Sequence, residues 1–419
     1  MFLNILLISS TFFRNNLFTL CHLIYTDTFY MKRKWIRWVS WILLTPIILF
    51  VILMVLLYVP PVQNLLRREV TAYASKATGM QIQVERIDLR FPLNLLVRGV
   101  EVIQQPDTLL SLESLNVRVQ AWPLIKGKVE VDEVTLSRVA VNSANLMEGM
   151  KIKGVLGRFF LQSHGVDLSN EIAIINQAEL SDTHVQLLMN DTTTTPKDTT
   201  ASAPVNWKVD LHQLKLKNVS FSMQLPVDSM RMAAHIGEAA IDDAQADLKN
   251  QFYGLKKFLL SGTSASYDTG TAQPIEGFDA SHIAVRDVRI ALDSLLYKGR
   301  DMNAVIREFT MNERSGLSVV SLTGRAYSND SIISVPGLKL KTPHSEIDLS
   351  AHTYWELVNI PTTGRLSANL NAYIGKEDVM LFAGGLPDSF KEAYPFRPLV
   401  IRAGTDAVSY THLTLPTSD

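Results

Sequence analysis

The chain of 419 residues is poor in the residues on which catalytic and metal chemistry usually depends. It contains a single cysteine, Cys21, so it can form neither a disulfide framework nor a thiolate zinc site. Its nine histidines are scattered without an HxxxH or HExxH pair, and this spacing does not favour metal binding. The sequence also lacks a P-loop and a GxGxxG that follows a strand. These absences predict a protein that uses no cofactor.

The charge balance argues against a nucleic-acid partner. Lys and Arg total 40 and Asp and Glu total 41, which gives a formal net charge of -1. Proteins that bind nucleic acids usually carry a basic excess or a basic face. The only basic run here is the short MKRKWIR that begins at Met31.

Two short motifs come closest to a catalytic or cation site, and neither fits one. GTSAS at Gly262 lacks the second glycine of a nucleophile elbow and lies in a strand pattern, so Ser264 is interpreted as structural. IDDAQADL brings Asp242, Asp243 and Asp247 together but lacks the ligand order of an EF-hand loop. These aspartates are interpreted as solvated strand positions. We therefore expect that the protein is not an enzyme.

One long uncharged run predicts a membrane anchor. Val39 to Val59 is about as long as the ~20 residues needed to cross the hydrocarbon core of a bilayer. Basic residues precede it, so residues 31–61 are predicted to hold a cytoplasmic basic head and a single transmembrane helix, with the remainder across the inner membrane. The alternative is a cleaved signal peptide, whose apolar region is usually only about 7–15 residues. The predicted anchor residues include Trp41, Ile42, Leu43, Phe50, Leu53 and Leu56.

The two ends of the sequence have a different character from the rest. Residues 1–30 place a second apolar segment before the basic head, and we expect that translation starts at Met31; a real second hydrophobic element is the alternative. Residues 407–419 end in YTHLTLPTSD, which resembles a translated sequencing adapter. The native part of the chain is therefore expected to end near Asp406.

A short amphipathic helix is predicted over residues 62–79. Its apolar residues lie at helical spacing, and Gly79 supplies a plausible C-terminal stop. We expect it to cap the end of the structure that follows, although such a helix can also lie on a bilayer. The apolar positions are Val62, Leu65, Leu66, Val70 and Tyr73.

From residue 80 to residue 406 the pattern predicts strands nearly throughout, with an unusual step. In VEVDEVTLSRVAV, Val129 to Val141, the apolar residues are separated alternately by two and three positions, whereas a plain strand keeps a period of two. The same step recurs in QAELSDTHV, QLKLKNVSF and HIAVRDVRI. The low-complexity segment Asn190–Pro204 interrupts the pattern and is predicted to be a flexible loop.

A bulge or tight bend accounts for the extra residue, because it resets the side-chain phase and keeps apolar residues on one face. Repetition predicts a mainly β protein with an elongated, repetitive bent sheet that forms a groove or solenoid; an ordinary β-sandwich with bulges is the alternative. The residues predicted to line the groove are Val131, Val134, Leu136, Val139, Val141, Leu180, Val185, Leu214, Leu216, Val219, Phe221, Ile283, Val285 and Val288.

The region that begins with the basic head resembles the N-terminal portion of TamB and AsmA-like proteins. The resemblance rests on the single anchor, on the helix ending in ATG, on MQIQVERIDLRFPLNLLVRGVEV and on DTLLSLESLNVRV, and it covers Met31 to about Asp406. The C-terminal region characteristic of the family is missing.

This resemblance implies an inner-membrane-anchored, mainly periplasmic protein of a diderm bacterium, with a long β-taco-like groove. Its implied partners are membrane phospholipids, moved toward the outer membrane. The family also implies an outer-membrane TamA-like barrel partner and a role in assembling outer-membrane β-barrel proteins.

Overall fold

The structure is a computed structural model that describes residues 58–90, 93–104, 107–120, 130–147, 150–167, 170–189, 206–359, 364–383, 387–393 and 397–409, with five isolated positions between residues 44 and 55. The predicted leader, the anchor residues Trp41, Ile42, Leu43, Phe50, Leu53 and Leu56, and the loop Asn190–Pro204 lie outside the described residues. Within the part that is described, no helix has the length and apolar character needed to cross a bilayer.

The chain forms two units, Met1–Gln63 and Asn64–Asp419. The second unit contains a single sheet of 17 strands, which is elongated and open. The strands are β1 Gln81–Arg90, β2 Asn94–Gln104, β3 Asp107–Val119, β4 Val131–Met147, β5 Met150–Asp167, β6 Ile172–Met189, β7 Lys208–Leu225, β8 Met230–Asp247, β9 Phe252–Asp268, β10 His282–Lys298, β11 Asp301–Glu313, β12 Ser318–Val319, β13 Ser321–Ser328, β14 Ile332–Lys341, β15 Glu346–Tyr354, β16 Gly364–Ile374 and β17 Leu399–Ser409. The prediction of a mainly β protein is confirmed.

Within the described part of the chain, four helices accompany the sheet. The first, α1, spans Pro60–Thr78 and corresponds to the amphipathic helix predicted from the sequence. The other three are short, and the sequence pattern did not anticipate them: α2 Trp355–Asn359, α3 Lys376–Phe382 and α4 Asp388–Ala393.

Neighbouring strands in the sheet are almost always consecutive in the chain and antiparallel, so most connections are short turns. The short strand β12 pairs with β11, which also pairs with β13. The exception to the antiparallel order is the pair β6 and β7, which run parallel from Ile172 opposite Lys208 to Leu188 opposite Gln224. The connection between these two strands therefore joins opposite ends of the pair.

Each of the first eight strands bends at one level of the sheet. At this level each pair of neighbouring strands has one pair of facing residues that does not pair in the ladder. The register is the same before and after this pair, because both strands carry one extra residue there. We call this row the bend line: Glu85, Gly99, Glu113, Arg138, Gly157, Asp182, Asn218 and Gly237.

The bend line explains the broken step seen in the sequence. Arg138 (φ 48°), Asp182 (φ 50°) and Asn218 (φ 51°) adopt left-handed backbone conformations, as does Gly99 (φ 59°). In β9 and β10, Gly262 and Asp287 are also left-handed at the corresponding step. Each of these residues directly precedes the position at which the apolar pattern resumes. In these six strands the left-handed residue is therefore what resets the side-chain phase.

The free edge of β1 is partly covered by α1. The Arg67 side chain donates a hydrogen bond to the carbonyl oxygen of Glu85 (2.7 Å), and the Ile82 amide donates to Ser75 Oγ (3.0 Å). Exposed edge groups are otherwise a template for pairing with another chain. The helix thus uses its side chains to satisfy backbone groups of the first strand.

At the ends of several later strands, α3 is held by a buried carboxylate. Asp378 is 8% exposed and accepts hydrogen bonds from the hydroxyls of Thr342 and Ser345, which lie in the β14–β15 turn. The Phe278 amide, in the β9–β10 connection, donates to the carbonyl oxygen of Leu381 (2.7 Å). The helix therefore joins two connections that are distant in sequence.

Candidate functional site

The main candidate site is the apolar face of β1 to β10. Because residues that face each other in a ladder lie on the same side of a sheet, the register assembles apolar side chains into rows that cross many strands. One row contains Ile87, Val97, Leu115, Leu136, Phe159, Leu180, Leu216, Ala239, Leu260 and Ile290. It is apolar at every one of ten strands.

A second row lies on the other side of the bend line. It contains Val84, Val100, Leu112, Val139, Leu156, Thr183, Val219 and Ile236. Thr183 is the one polar member of this row, and it is buried, with its hydroxyl donating to the carbonyl oxygen of Ser181 (3.1 Å). The two rows therefore form a continuous apolar band on either side of the bend.

Two further rows widen the band in both directions. One contains Leu89, Leu95, Val117, Val134, Leu161, Ala178, Leu214, Ile241, Phe258 and Leu292. The other contains Ile82, Val102, Leu110, Val141, Gly154, Val185, Phe221, Ala234, Ala265 and Val285. At about 4.8 Å per strand, nine spacings give a band about 43 Å long.

The apolar face lies on the inside of the bend. In β7, Lys217 and Asn218 are both exposed, and in β10 the same is true of Arg286 and Asp287. Two consecutive side chains therefore point to the polar side at each bend. Because the chain is longer on that side, the sheet curves toward the apolar side.

The described residues place no second layer across this face. Each strand makes its main contacts with the strands beside it in the sheet. Only ten apolar residues of the described part are buried, and six of them are alanines. Leu112 is buried, but most large members of the rows are only half-buried, and Phe221 is 40% exposed. A sandwich core would bury such side chains almost completely.

The structure brings most of the predicted groove residues into these rows. Val134, Leu136, Val139, Val141, Leu180, Val185, Leu214, Leu216, Val219, Phe221 and Val285 are members of the four rows. Val131 lies opposite Val119, Ile283 lies opposite Tyr267, and Val288 lies opposite Thr263, so these three extend or flank the rows.

Sequence reasoning missed the contribution of β1, β2, β3 and β5. The same step is present there, as in Val97 to Val100 and Leu156 to Phe159, with Gly99 and Gly157 at the bend. A search for glycine and glutamate as well as Asp, Asn and Arg at the phase reset would have found these strands, because β1 and β3 carry Glu85 and Glu113 there.

The polar side of the bend line is held together by neighbouring side chains. Arg138 forms a bidentate ion pair with Glu113 on the adjacent strand. Asn218 Nδ2 donates to Asp182 Oδ1 (2.7 Å). These contacts lie on exposed surface, so each is worth at most about 1 kcal/mol. Their main effect is to align the bends of adjacent strands.

The aspartates of IDDAQADL are used within the sheet. Asp243 (φ 50°) lies at a second bend, where it accepts hydrogen bonds from His212 (3.2 Å) and Lys256 (3.1 Å). These two partners lower the pKa of the Asp243 carboxyl below its ordinary value. Asp247 accepts two hydrogen bonds from Asn250 in the following turn. The described residues contain no group of three potential metal-binding side chains.

The most enclosed ionisable pair is Asp279 and His282, at the start of β10. The Asp279 carboxylate faces His282 Nδ1 at 2.9 Å and accepts hydrogen bonds from the amides of Ile275 (3.1 Å) and Ser281 (2.9 Å). The hydrogen bond from the Ile275 amide, together with those from the Ser281 amide and the His282 ring, lowers the pKa of the Asp279 carboxyl. Burial acts in the opposite direction. Arg314 donates to the carbonyl oxygen of His282 (2.7 Å). These bonds fix the β9–β10 connection.

Ser264 lies opposite His235 in the β8–β9 ladder, on the polar face of the sheet. The His235 ring has a different hydroxyl partner, Ser220, at 2.9 Å.

No family model matches the chain, and no curated protein is significantly similar to it in sequence.

Proposed function

We propose that this protein is a non-enzymatic conduit for phospholipid, which binds acyl chains along the apolar face of β1 to β10. The observation that carries the proposal is the set of four apolar rows, whose large side chains are mostly half-buried and lack a covering layer in the described residues. A monomeric soluble protein rarely exposes a contiguous apolar surface of this extent. A partner that is itself apolar and elongated fits such a surface.

The energetics favour a face of this kind over transfer through water. Burial of one CH2 group stabilises by about 0.8 kcal/mol, so a chain of sixteen carbons loses about 12 kcal/mol on entering water. A row that stays apolar from strand to strand offers an acyl chain equivalent positions along the sheet. Movement between these positions requires no bond to form or break.

The cellular setting belongs to the same proposal. The uncharged run Val39–Val59 and the basic residues before it support a single inner-membrane anchor with the sheet in the periplasm. The resemblance to TamB and AsmA-like proteins supports transport of phospholipid between the inner and outer membranes of a diderm bacterium.

Site-specific photocrosslinking tests the proposal. A photoreactive residue at Val139, Leu216 or Ile283 is expected to capture phospholipid in cells. Ser137, Lys215 and Arg286 are matched controls because each lies on a neighbouring position of the same strand, on the polar side. Equal capture at both sets of positions would defeat the proposal.

The second candidate function is assistance to outer-membrane β-barrel assembly, with a TamA-like barrel as partner. One observation bears on it: among the described strands β17 pairs with β16 alone, and an unpaired strand edge is the kind of surface to which a client strand can add. Depletion of the protein distinguishes the two functions. Impaired barrel insertion with normal phospholipid transport would favour assembly over lipid transport.

A further inference from the structure

The helix α1 has two different faces, and only one of them is used by the sheet. The side that carries Arg67 and Ser75 bonds to β1, as described above. Thr71, between them on the same side, has a buried hydroxyl oxygen. At 3.6 residues per turn these three positions fall within an arc of about 80°.

The opposite side of α1 faces outward and carries three exposed apolar residues. Leu65 is 57% exposed, Val70 is 51% exposed and Tyr73 is 77% exposed. These three residues fall within an arc of about 140° on the side away from β1, and Glu69 and Lys76 lie in the same arc. We call the three apolar residues the outer stripe. Exposed apolar residues grouped on one face of a helix usually mark a contact surface.

The chain before α1 indicates which surface the outer stripe meets. The uncharged run Val39–Val59 ends immediately before Pro60, where α1 begins. If this run is the anchor of the proposed function, the helix starts at the bilayer surface. At 1.5 Å per residue, Tyr73 lies only about 20 Å along the helix from that start.

The composition of α1 fits a lipid surface better than a protein surface. Its charged residues are Arg67, Arg68 and Lys76, which are basic, and the single acidic Glu69. Interfacial helices combine basic residues, which attract anionic headgroups, with aromatic and aliphatic residues that enter the headgroup layer.

We infer that α1 lies on the surface of the anchoring bilayer, with the outer stripe in the headgroup region and the opposite side bonded to β1. This inference rests on the membrane anchor of the proposed function and adds a role to it. The helix holds β1, and with it Ile82, Val84, Ile87 and Leu89 at the first strand of the four apolar rows, next to the membrane. A phospholipid that leaves the bilayer then meets the rows at β1.

Fluorescent labelling of the full chain in vesicles tests the inference. With Cys21 replaced by Ala, a single cysteine is introduced at Leu65, Tyr73 or Arg68 and labelled with an environment-sensitive dye. Arg68 is the control because it is exposed on the same helix but lies outside the outer stripe. The vesicles contain phosphatidylethanolamine, phosphatidylglycerol and a spin-labelled phospholipid.

Dyes at Leu65 and Tyr73 are expected to emit at shorter wavelength and to be quenched several-fold more than the dye at Arg68. Equal, water-like emission and weak quenching at all three positions would overturn the inference. Photocrosslinking at Leu136 in the same proteins keeps the two proposals apart. Lipid capture at Leu136 without quenching at α1 contradicts only the interfacial helix, and quenching without capture contradicts only the apolar conduit.

Replacement of the outer stripe by charge gives an independent measurement. Leu65→Asp and Tyr73→Asp are expected to slow the loading of phospholipid from vesicles several-fold, with unchanged final occupancy and unchanged thermal midpoint. Both residues are exposed, so the folded sheet does not depend on them. Unchanged loading rates would contradict the inference.

Discussion

Gly157 and Asp182 face each other on β5 and β6 at the bend line, so closely that only a glycine fits opposite the aspartate. A Cβ atom at residue 157 would stand 2.7 Å from Asp182 Cβ and 2.8 Å from the Asp182 carbonyl oxygen. The backbone of β6 is left-handed at this point, with φ of 50°. The absence of a side chain on one strand therefore allows the neighbouring strand to bend.

Gly157→Ala is accordingly expected to destabilise the sheet. Either β5 or β6 must shift to relieve the contact, which costs about 1–3 kcal/mol, as overpacking does elsewhere. Gly254→Ala is the matched control, because its added Cβ would come no closer than 3.4 Å to the Phe252 ring and 3.9 Å to the Leu295 carbonyl oxygen. Urea unfolding checks the prediction, and equal unfolding midpoints for the two variants would show that the close approach is unimportant.

Asn218 tests the left-handed backbone itself. Asn218→Val places a β-branched side chain at φ of 51° and removes the hydrogen bond to Asp182, so we expect a loss of about 2–3 kcal/mol. Asn218→Gly also loses the bond but tolerates the conformation, so its stability is expected to change by less than about 1 kcal/mol. The free energies of unfolding of the two variants are compared. A valine variant as stable as the glycine variant would contradict a strained bend.

The apolar rows give a prediction about bound lipid. Leu216→Glu puts a carboxylate into the centre of a row, where burial of a charge beneath an acyl chain is strongly unfavourable. The amount of phospholipid that copurifies with the protein is expected to fall several-fold. Lys215→Glu is the control on the polar side and is expected to leave it unchanged. Mass spectrometry of the extracted lipid measures the bound phospholipid in both variants, and circular dichroism verifies that each variant is folded.

The carboxylate of Asp378 is predicted to stabilise the packing of α3 on the sheet. Asp378→Ala removes the acceptor of the Ser345 hydroxyl and leaves the Thr342 hydroxyl with the more distant Ser345 carbonyl oxygen (3.3 Å), which costs about 1–3 kcal/mol. Asp388→Ala, in α4, is a control because the Asp388 side chain is 91% exposed. In thermal unfolding, the midpoint of Asp378→Ala is expected to be clearly lower than that of Asp388→Ala. If both midpoints match that of the parent protein, the buried carboxylate does not hold α3.

Acid stability should depend on Asp279. The Ile275 amide, helped by Ser281 and His282, lowers the folded-state pKa of this carboxyl below the unfolded value of about 3.9. The resulting stabilisation is fully present above the unfolded pKa and is lost as the pH falls through the folded one. The thermal midpoint should therefore fall below about pH 4, and less steeply in Asp279→Asn. A parallel decline in both proteins would assign the acid sensitivity to other groups.

The periodicity of the sequence was sufficient to predict the β content and the position of the phase reset in β4, β6, β7 and β10. The step from Leu136 to Val139 and from Leu216 to Val219 is a local property, because the side chains of one strand alternate whether or not a neighbour is present. The same reasoning predicted α1, which begins at Pro60 and ends at Thr78. The short helix α3 was not predicted, because Asp378 is bound by hydroxyls more than thirty residues away.

The sequence by itself determined which residues of each strand share a face and where each strand bends. Only the tertiary structure decided that the bends form one line, that β6 and β7 run parallel, and that α1 covers the edge of β1. The physical reason is the range of the interactions. Alternation and left-handed residues act within a few positions, whereas register depends on pairs such as Gly157 and Asp182, which come together only when the strands pair.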